Sequence, residues 1–297
     1  MDNSVLPFQL DRASVRGRIV RLGSVLDDIL GPHDYPQALA AQVGEASLLA
    51  VLVASLLKYD GIFTLQAQGE GGPVSMLVAD TTSIGELRAC ANIREGAVLP
   101  HDGTVGDFIG KGYIAFTVDQ GAHTERYQGI VELKPEGLRQ SLVHYFTQSE
   151  QIQTGIILSL KRFEGGWRGG ALIVQEIPRE GGQGAAAGSD EEDDWRRVMM
   201  LMQSCTGEEL LDPALSAQDL LYRLFHEETV RVFDALTIYK SCRCSEEKLL
   251  SLLTTMPADD LDYMEQEEGG IAMRCEFCGT AYRFTREEID DHAKKPD

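Results

Sequence analysis

Residues 46–57 read ASLLAVLVASLL, twelve positions without a charge, and Lys58 closes the run. A stretch that is apolar on every face belongs in a protein interior or a bilayer. Twelve residues fall well short of the roughly 20 that a membrane-crossing helix needs, so the run reads as part of a deeply buried core helix. Pro36 suits a first helical turn, which sets the predicted helix at 36–58.

Strand signals surround this helix. Val15–Leu22 precedes it, and segments at 63–68 (FTLQAQ), 74–80 (VSMLVAD), 86–93 (ELRACANI), 112–119 (GYIAFTVD) and 127–133 (YQGIVEL) follow it, punctuated by glycine. A helix is expected at 137–149, then two strands at 155–163 and 170–177 joined by the turn Glu164-Gly165-Gly166. Strand and helix do not alternate as they do in a doubly wound sheet, so the fold class is α+β: a mainly antiparallel sheet with a long buried helix.

Composition changes after Pro178. Residues 179–194 read REGGQGAAAGSDEEDD, small and flexible first and then five consecutive acids, as expected of a tether or of acids favouring the start of the next helix. Two amphipathic helices should follow. One carries Val198, Leu201, Met202 and Cys205; the other, capped by Ser216, carries Leu220, Leu221, Leu224 and Phe225. Such stripes usually pack on a core, but on a tether they could also present Met199, Met202, Leu220, Leu221, Leu224 and Phe225 to a partner. The predicted organisation is a core domain at 1–178, an acidic tether with helical linker at 179–235, and a C-terminal four-cysteine module at 236–297.

With 47 acids against 27 bases and a formal charge of −20, the chain of 297 residues argues against nucleic-acid and anionic-membrane partners. The first ten residues lack a basic and then apolar signal pattern, and the expected location is the cytoplasm. Cysteine pairs in a reducing compartment point to metal or redox chemistry rather than standing disulfides.

Those pairs are Cys242-Arg243-Cys244 and, after a 30-residue interval, Cys275-Glu276-Phe277-Cys278. Two short chelating pairs brought together across a loop supply the four soft ligands of tetrahedral zinc, and Gly279 permits a knuckle turn after Cys278. Within the module, Ser245 should cap a helix bearing Leu249, Leu250, Leu252 and Leu253, Pro257 begins another, and Thr285 with Glu288 forms a capping box after the Tyr282-Arg283-Phe284 strand. So small a core leaves much of the stability to zinc, whose binding in structural sites is worth about 10–16 kcal/mol. Most four-cysteine zinc sites are structural staples. Closely spaced cysteines can also oxidise, however, and oxidation removes the thiolates that a metal needs.

The other candidates carry less. Cys205 reads as core, and Cys90, in phase with Glu86, Arg88 and Asn92, as more exposed; His226 and His292 are surplus to a complete thiolate set. No phosphate loop, nucleophile elbow or H-E-x-x-H is present, so no catalytic residue is assigned. A thioredoxin-like use of Cys275 and Cys278 would need a helix immediately after the motif, where a strand is expected.

The cysteine pairs, together with Tyr145-Phe146-Thr147-Gln148-Ser149-Glu150-Gln151, Thr104-Val105-Gly106-Asp107, Gly110-Lys111-Gly112-Tyr113 and Arg223-Leu224-Phe225-His226-Glu227-Glu228, resemble the heat shock protein 33 family of bacterial redox-regulated holdase chaperones. The likeness spans nearly the whole chain, with Gln153 in place of an expected proline and an expanded 181–194 segment. It implies one zinc per chain on Cys242, Cys244, Cys275 and Cys278 in the reduced form. It further implies oxidation to Cys242–Cys244 and Cys275–Cys278 disulfides, unfolding of the module and linker, dimerisation, and ATP-independent holding of unfolding client proteins. An interaction module with a purely structural zinc, or a thiol-disulfide oxidoreductase, are the alternatives.

Overall fold

Alternating burial begins near the N-terminus, where Ser4–Leu10 (β1) and Val15–Leu22 (β2) pair as an antiparallel hairpin. The computed structural model describes residues 3–121, 127–177, 187–266 and 270–294. The first of its two compact units is Met1–Lys240 and the second Ser241–Asp297.

In the first unit Ser24–Leu30 (α1) and Gln37–Ala54 (α2) lead into three antiparallel strands, Ile62–Gly71 (β3), Val74–Thr82 (β4) and Glu86–Ile93 (β5). Val105–Ile109 (α3), Gly110–Asp119 (β6), Tyr127–Glu132 (β7), Leu138–Gln148 (α4), Thr154–Phe163 (β8) and Gly166–Glu176 (β9) follow. Next come Ala187–Gln203 (α5), Gly207–Leu211 (α6), Ala217–Phe225 (α7) and three short strands, Val230–Val232 (β10), Leu236–Thr237 (β11) and Tyr239–Lys240 (β12).

Two sheets result. One runs β10-β1-β2-β9-β8, with β11 also on β1; the other runs β12-β5-β4-β3-β6-β7. All the pairings are antiparallel except that of β12 with β5. Helix α2 packs against strands of both sheets. It is long and apolar enough to cross a membrane, yet 72% of it is buried in the fold, with Leu39, Val43, Leu48, Leu49 and Leu52 wholly enclosed, so it is a core helix. It stops four residues before the expected Lys58, where Ser55 closes the last turn on the Val51 carbonyl and returns its own hydroxyl to Leu52.

A second core lies on the other side of the first sheet. Phe8, Leu10, Ile19, Leu172 and Val174 meet Val198, Met202, Leu210, Leu220, Leu221 and Phe225, with the Phe8 and Phe225 rings stacked at 6.0 Å. The linker helices therefore belong to the first unit instead of standing apart. The expected boundary at 235/236 falls at Lys240, because β11 and β12 are hydrogen-bonded to strands of the first unit. Of the expected tether, residues 179–186 lie outside the described residues, while the acid run at 190–194 lies within α5.

Two cysteines depart from expectation. Cys90 is buried, not exposed: it stands opposite Val78, with the Asn92 Oδ1 3.9 Å away and the Arg88–Asp80 ion pair alongside on the same sheet face. Cys205 lies just past the end of α5 and is half-buried against the second core, where burial pushes its thiol up to about 11.

In the second unit Glu246–Leu253 (α8), Ala258–Met264 (α9), Glu265–Gln266 (β13), Gly270–Arg274 (β14), Ala281–Phe284 (β15) and Arg286–Ala293 (α10) enclose a small core of Leu253, Leu261, Ile271, Phe284 and Ile289. Ser245 accepts a hydrogen bond from the Lys248 N–H, and Thr285 forms its capping box with Glu288.

Candidate metal centre

Local sequence sets each thiol. Cys242 and Cys244 lie in the extended segment before α8, whose cap at Ser245 and whose Lys248, donating to the Arg243 carbonyl at 3.0 Å, fix the path of the chain. Cys275 and Cys278 occupy the turn of the β14–β15 hairpin, closed by the Arg274–Ala281 pair. There the Gly279 N–H donates to the Cys275 carbonyl at 2.8 Å and the Cys275 N–H to the Thr280 carbonyl at 2.9 Å. Gly279 has φ +70°, which a residue bearing a Cβ rarely adopts.

The four sulfurs converge. Cys242 Sγ is 3.4 Å from Cys244 Sγ and 3.6 Å from Cys275 Sγ, Cys244 Sγ is 3.5 Å from Cys278 Sγ, and all four lie within 4.8 Å of one another. A tetrahedron of sulfurs around zinc, with bonds of about 2.3 Å, has edges of about 3.8 Å. Contacts between the pairs match the one within the first, so the four form one site that can hold a single metal ion and is consistent with zinc.

Electrostatics divides the thiols. Burial pushes Cys244 up to about 12 against the pull of the Tyr282 hydroxyl, which donates to its sulfur at 3.2 Å. Burial also raises Cys275, opposed by the backbone N–H groups of Cys278 and Phe277. At Cys278 burial again pushes upward, but the Thr280 hydroxyl, 3.2 Å away, and the Thr280 N–H, joined by Cys244 and Cys242, prevail and hold the thiol at about 6. Thiolates this close repel one another; a divalent cation held by Cys242, Cys244, Cys275 and Cys278 would offset that repulsion and so favour the deprotonated form of all four.

Tyr282 and Thr280 are the site residues that motif reading missed. The signal was present in the hairpin: Tyr282 stands four residues beyond Cys278 on a short strand, and its ring stacks with that of the buried Phe284. His292 instead lies 3.0 Å from the Ser251 hydroxyl, outside the thiolate set. The surface candidates are not part of this site. Met202, Leu220, Leu221, Leu224 and Phe225 are buried in the second core of the first unit, and Met199 packs at its margin.

Fold and site together define a two-unit α+β protein whose small C-terminal unit carries a cluster of four cysteines able to hold a metal ion. The model of the family described as Hsp33 protein matches residues 3–285. Relatives named 33 kDa chaperonin are 36% identical in Caulobacter vibrioides (96% of this chain, 95% of the relative) and 34% identical in Photobacterium profundum (95% and 92%). The crystal structure of the 33 kDa chaperonin, a heat shock protein 33 homologue, from Thermotoga maritima superimposes with a TM-score of 0.82 at 24% identity, covering 99% of this chain and 98% of that one. The chain belongs to the Hsp33 family.

Proposed function

We propose that this protein is a redox-regulated, ATP-independent holdase that binds unfolding proteins after oxidation of a zinc-bound form. The relatives' name, 33 kDa chaperonin, supports a chaperone. The observation that carries the regulation is the union of all four thiols in one cluster inside a unit with only five buried apolar side chains among its described residues. Cys242, Cys244, Cys275 and Cys278 would hold one zinc per chain, and zinc would supply the cross-link that so thin a core lacks.

A peroxide can supply the oxidation. Each cysteine pair, Cys242 with Cys244 and Cys275 with Cys278, gives up two electrons and becomes a disulfide, while one peroxide takes two protons and leaves as two waters. No thiolate then remains to bind a cation, and the small unit unfolds. Detachment of the linker helices would bare Met199, Met202, Leu220, Leu221, Leu224 and Phe225 for clients and for a second copy of the chain. The charge of −20 favours protein partners over nucleic acid or anionic membrane and suits a cytoplasmic protein that must stay soluble with its apolar surface open.

The test is peroxide treatment of the reduced, zinc-loaded protein at raised temperature, following zinc release, helix content, oligomeric state and aggregation of a heat-unfolding client. Coincident zinc release and gain of client holding is the expected result. Holding that is unchanged while zinc leaves would overturn the switch, and catalytic turnover of a disulfide substrate would favour an oxidoreductase.

A further inference from the structure

Residues 236–240 bridge both sheets of the first unit. Leu236 and Thr237 pair with Val5 and Ser4 of β1, and two residues later Tyr239 and Lys240 pair in parallel with Glu86 and Leu87 of β5. Between them the Ile238 N–H donates to the Asn3 carbonyl at 2.8 Å and the Tyr239 N–H to the Gly85 carbonyl at 3.0 Å. Ile238 is 2% exposed and joins the main core, whereas Leu236 lines the rim of the cleft and Tyr239 is partly exposed. Ile238 is the one fully enclosed side chain of the segment and the backbone makes the remaining hydrogen bonds, which is how a sheet edge captures an extended peptide.

The seat is built for close backbone approach. A Cβ on Gly85 would stand 2.1 Å from the Thr237 carbonyl oxygen, so a bare α-carbon is required there. Beside Ile238 the cleft continues, with a volume of about 200 Å³ and walls that include Val5, Val51, Ala54, Leu57 and Tyr59.

We propose that this cleft is a strand-accepting peptide site, filled in this state by the chain's own residues 236–240 and open, once they leave, to an extended partner segment with a β-branched aliphatic anchor. The natural ligand, an unfolded protein segment, rests on the holdase reading; the site itself does not. Its occupant is coupled to the metal centre by sequence, since Lys240 stands two positions before Cys242. Clearing the cleft would therefore add a second, backbone-reading surface to the apolar stripes of α5 and α7.

The experiment uses the full chain, reduced and zinc-loaded throughout, and a fluorescent peptide ALTIYKS, the sequence of residues 235–241. Ile238→Asp expels the strap from the apolar seat. Gly85→Val expels it too but leaves a side chain in the way of any replacement. The peptide should bind the Ile238→Asp protein at least about tenfold more tightly than wild type, as expected for one buried aliphatic anchor. A peptide with aspartate at the isoleucine position should not bind, and Gly85→Val should bind neither.

An Ile238→Asp protein with normal zinc content and helix signal that takes up peptide no better than wild type overturns the proposal, as does equal binding by Gly85→Val. Should Ile238→Asp fail to fold, the milder Ile238→Ser is scored by the same two criteria. No oxidant is present, so failure here leaves the redox switch standing, and failure of the switch leaves the peptide site standing.

Discussion

Arg197 reaches from α5 to the carboxylate of Glu228, Nε to Oε1 at 2.6 Å and Nη2 to Oε2 at 3.0 Å, a two-pronged pair in which Glu228 is 1% exposed. Asp194 braces the same guanidinium at 2.8 Å. Helix α5 is thus fastened to the segment that follows α7 by a charge that burial makes costly to leave alone. Replacing Arg197 with methionine should destabilise the first unit by about 2–4 kcal/mol, less than a fully enclosed pair because Arg197 is partly exposed. Urea unfolding checks the size, and hydrogen exchange should show α5 opening first.

Phe225 tests the second core. It is fully buried and stacked on Phe8, so Phe225→Ala removes a ring from a place that cannot readily collapse. A loss of about 3–5 kcal/mol is expected in denaturant unfolding. A loss below about 1 kcal/mol would mean that the helices are only lightly held on the sheet.

Tyr282 is the outer support of the metal centre. Tyr282→Phe keeps the ring stacked on Phe284 and removes only the hydroxyl that donates to Cys244. Zinc affinity, measured by competition with a colorimetric chelator, should fall about 10–100-fold, the usual range for losing a partner of a ligand. Unaltered affinity would mark that hydrogen bond as incidental.

Removal of zinc from the reduced protein should unfold Ser241–Asp297 and leave the main core of the first unit, the strands packed around α2, protected, since that core is large and built without the metal. Exchange of amides in β14 and β15 should become fast while those in β2, β3 and β9 stay slow. Simultaneous loss of both would show that the first unit depends on the metal.

Glu45 on α2 gives a pH dependence. Burial raises its carboxyl above the ordinary value of 4.5, opposed by a hydrogen bond from the Arg139 backbone and by the Arg139 charge. A carboxyl that is harder to ionise folded than unfolded costs stability as pH rises through that window, because the unfolded chain releases the proton first. Glu45→Gln keeps an acceptor for the Arg139 N–H, so the variant should gain stability relative to wild type from acid toward neutral pH. Urea midpoints across that range read the sign.

Much of this architecture was legible because local pattern and tertiary demand agreed. Strands β2 and β5 have the expected bounds, and the four cysteines share one site, because period-two burial and chelate spacing are both short-range signals. Strand β9 begins at Gly166 instead of at residue 170 because glycines that punctuate turns elsewhere serve contact here: a Cβ at Gly169 would meet Leu48 at 2.7 Å and one at Gly170 would meet Leu210 at 2.6 Å. Cys90 is buried where strand phase alone suggests exposure, because the neighbours that enclose it come from across the sheet. Strands β10 to β12 were unreadable for a similar reason. They are two or three residues long, and their partners lie more than 150 positions away.

That distance bears on how the protein is made. Phe8 pairs with Val232, and Asp11 holds Arg231 at 2.5 Å across 220 positions. A chain emerging from the ribosome N-terminus first therefore carries the unpaired edge of β1 through most of its own synthesis. Until β10 and β11 appear, the nascent protein is itself a sticky, incompletely folded chain, and their arrival closes that edge.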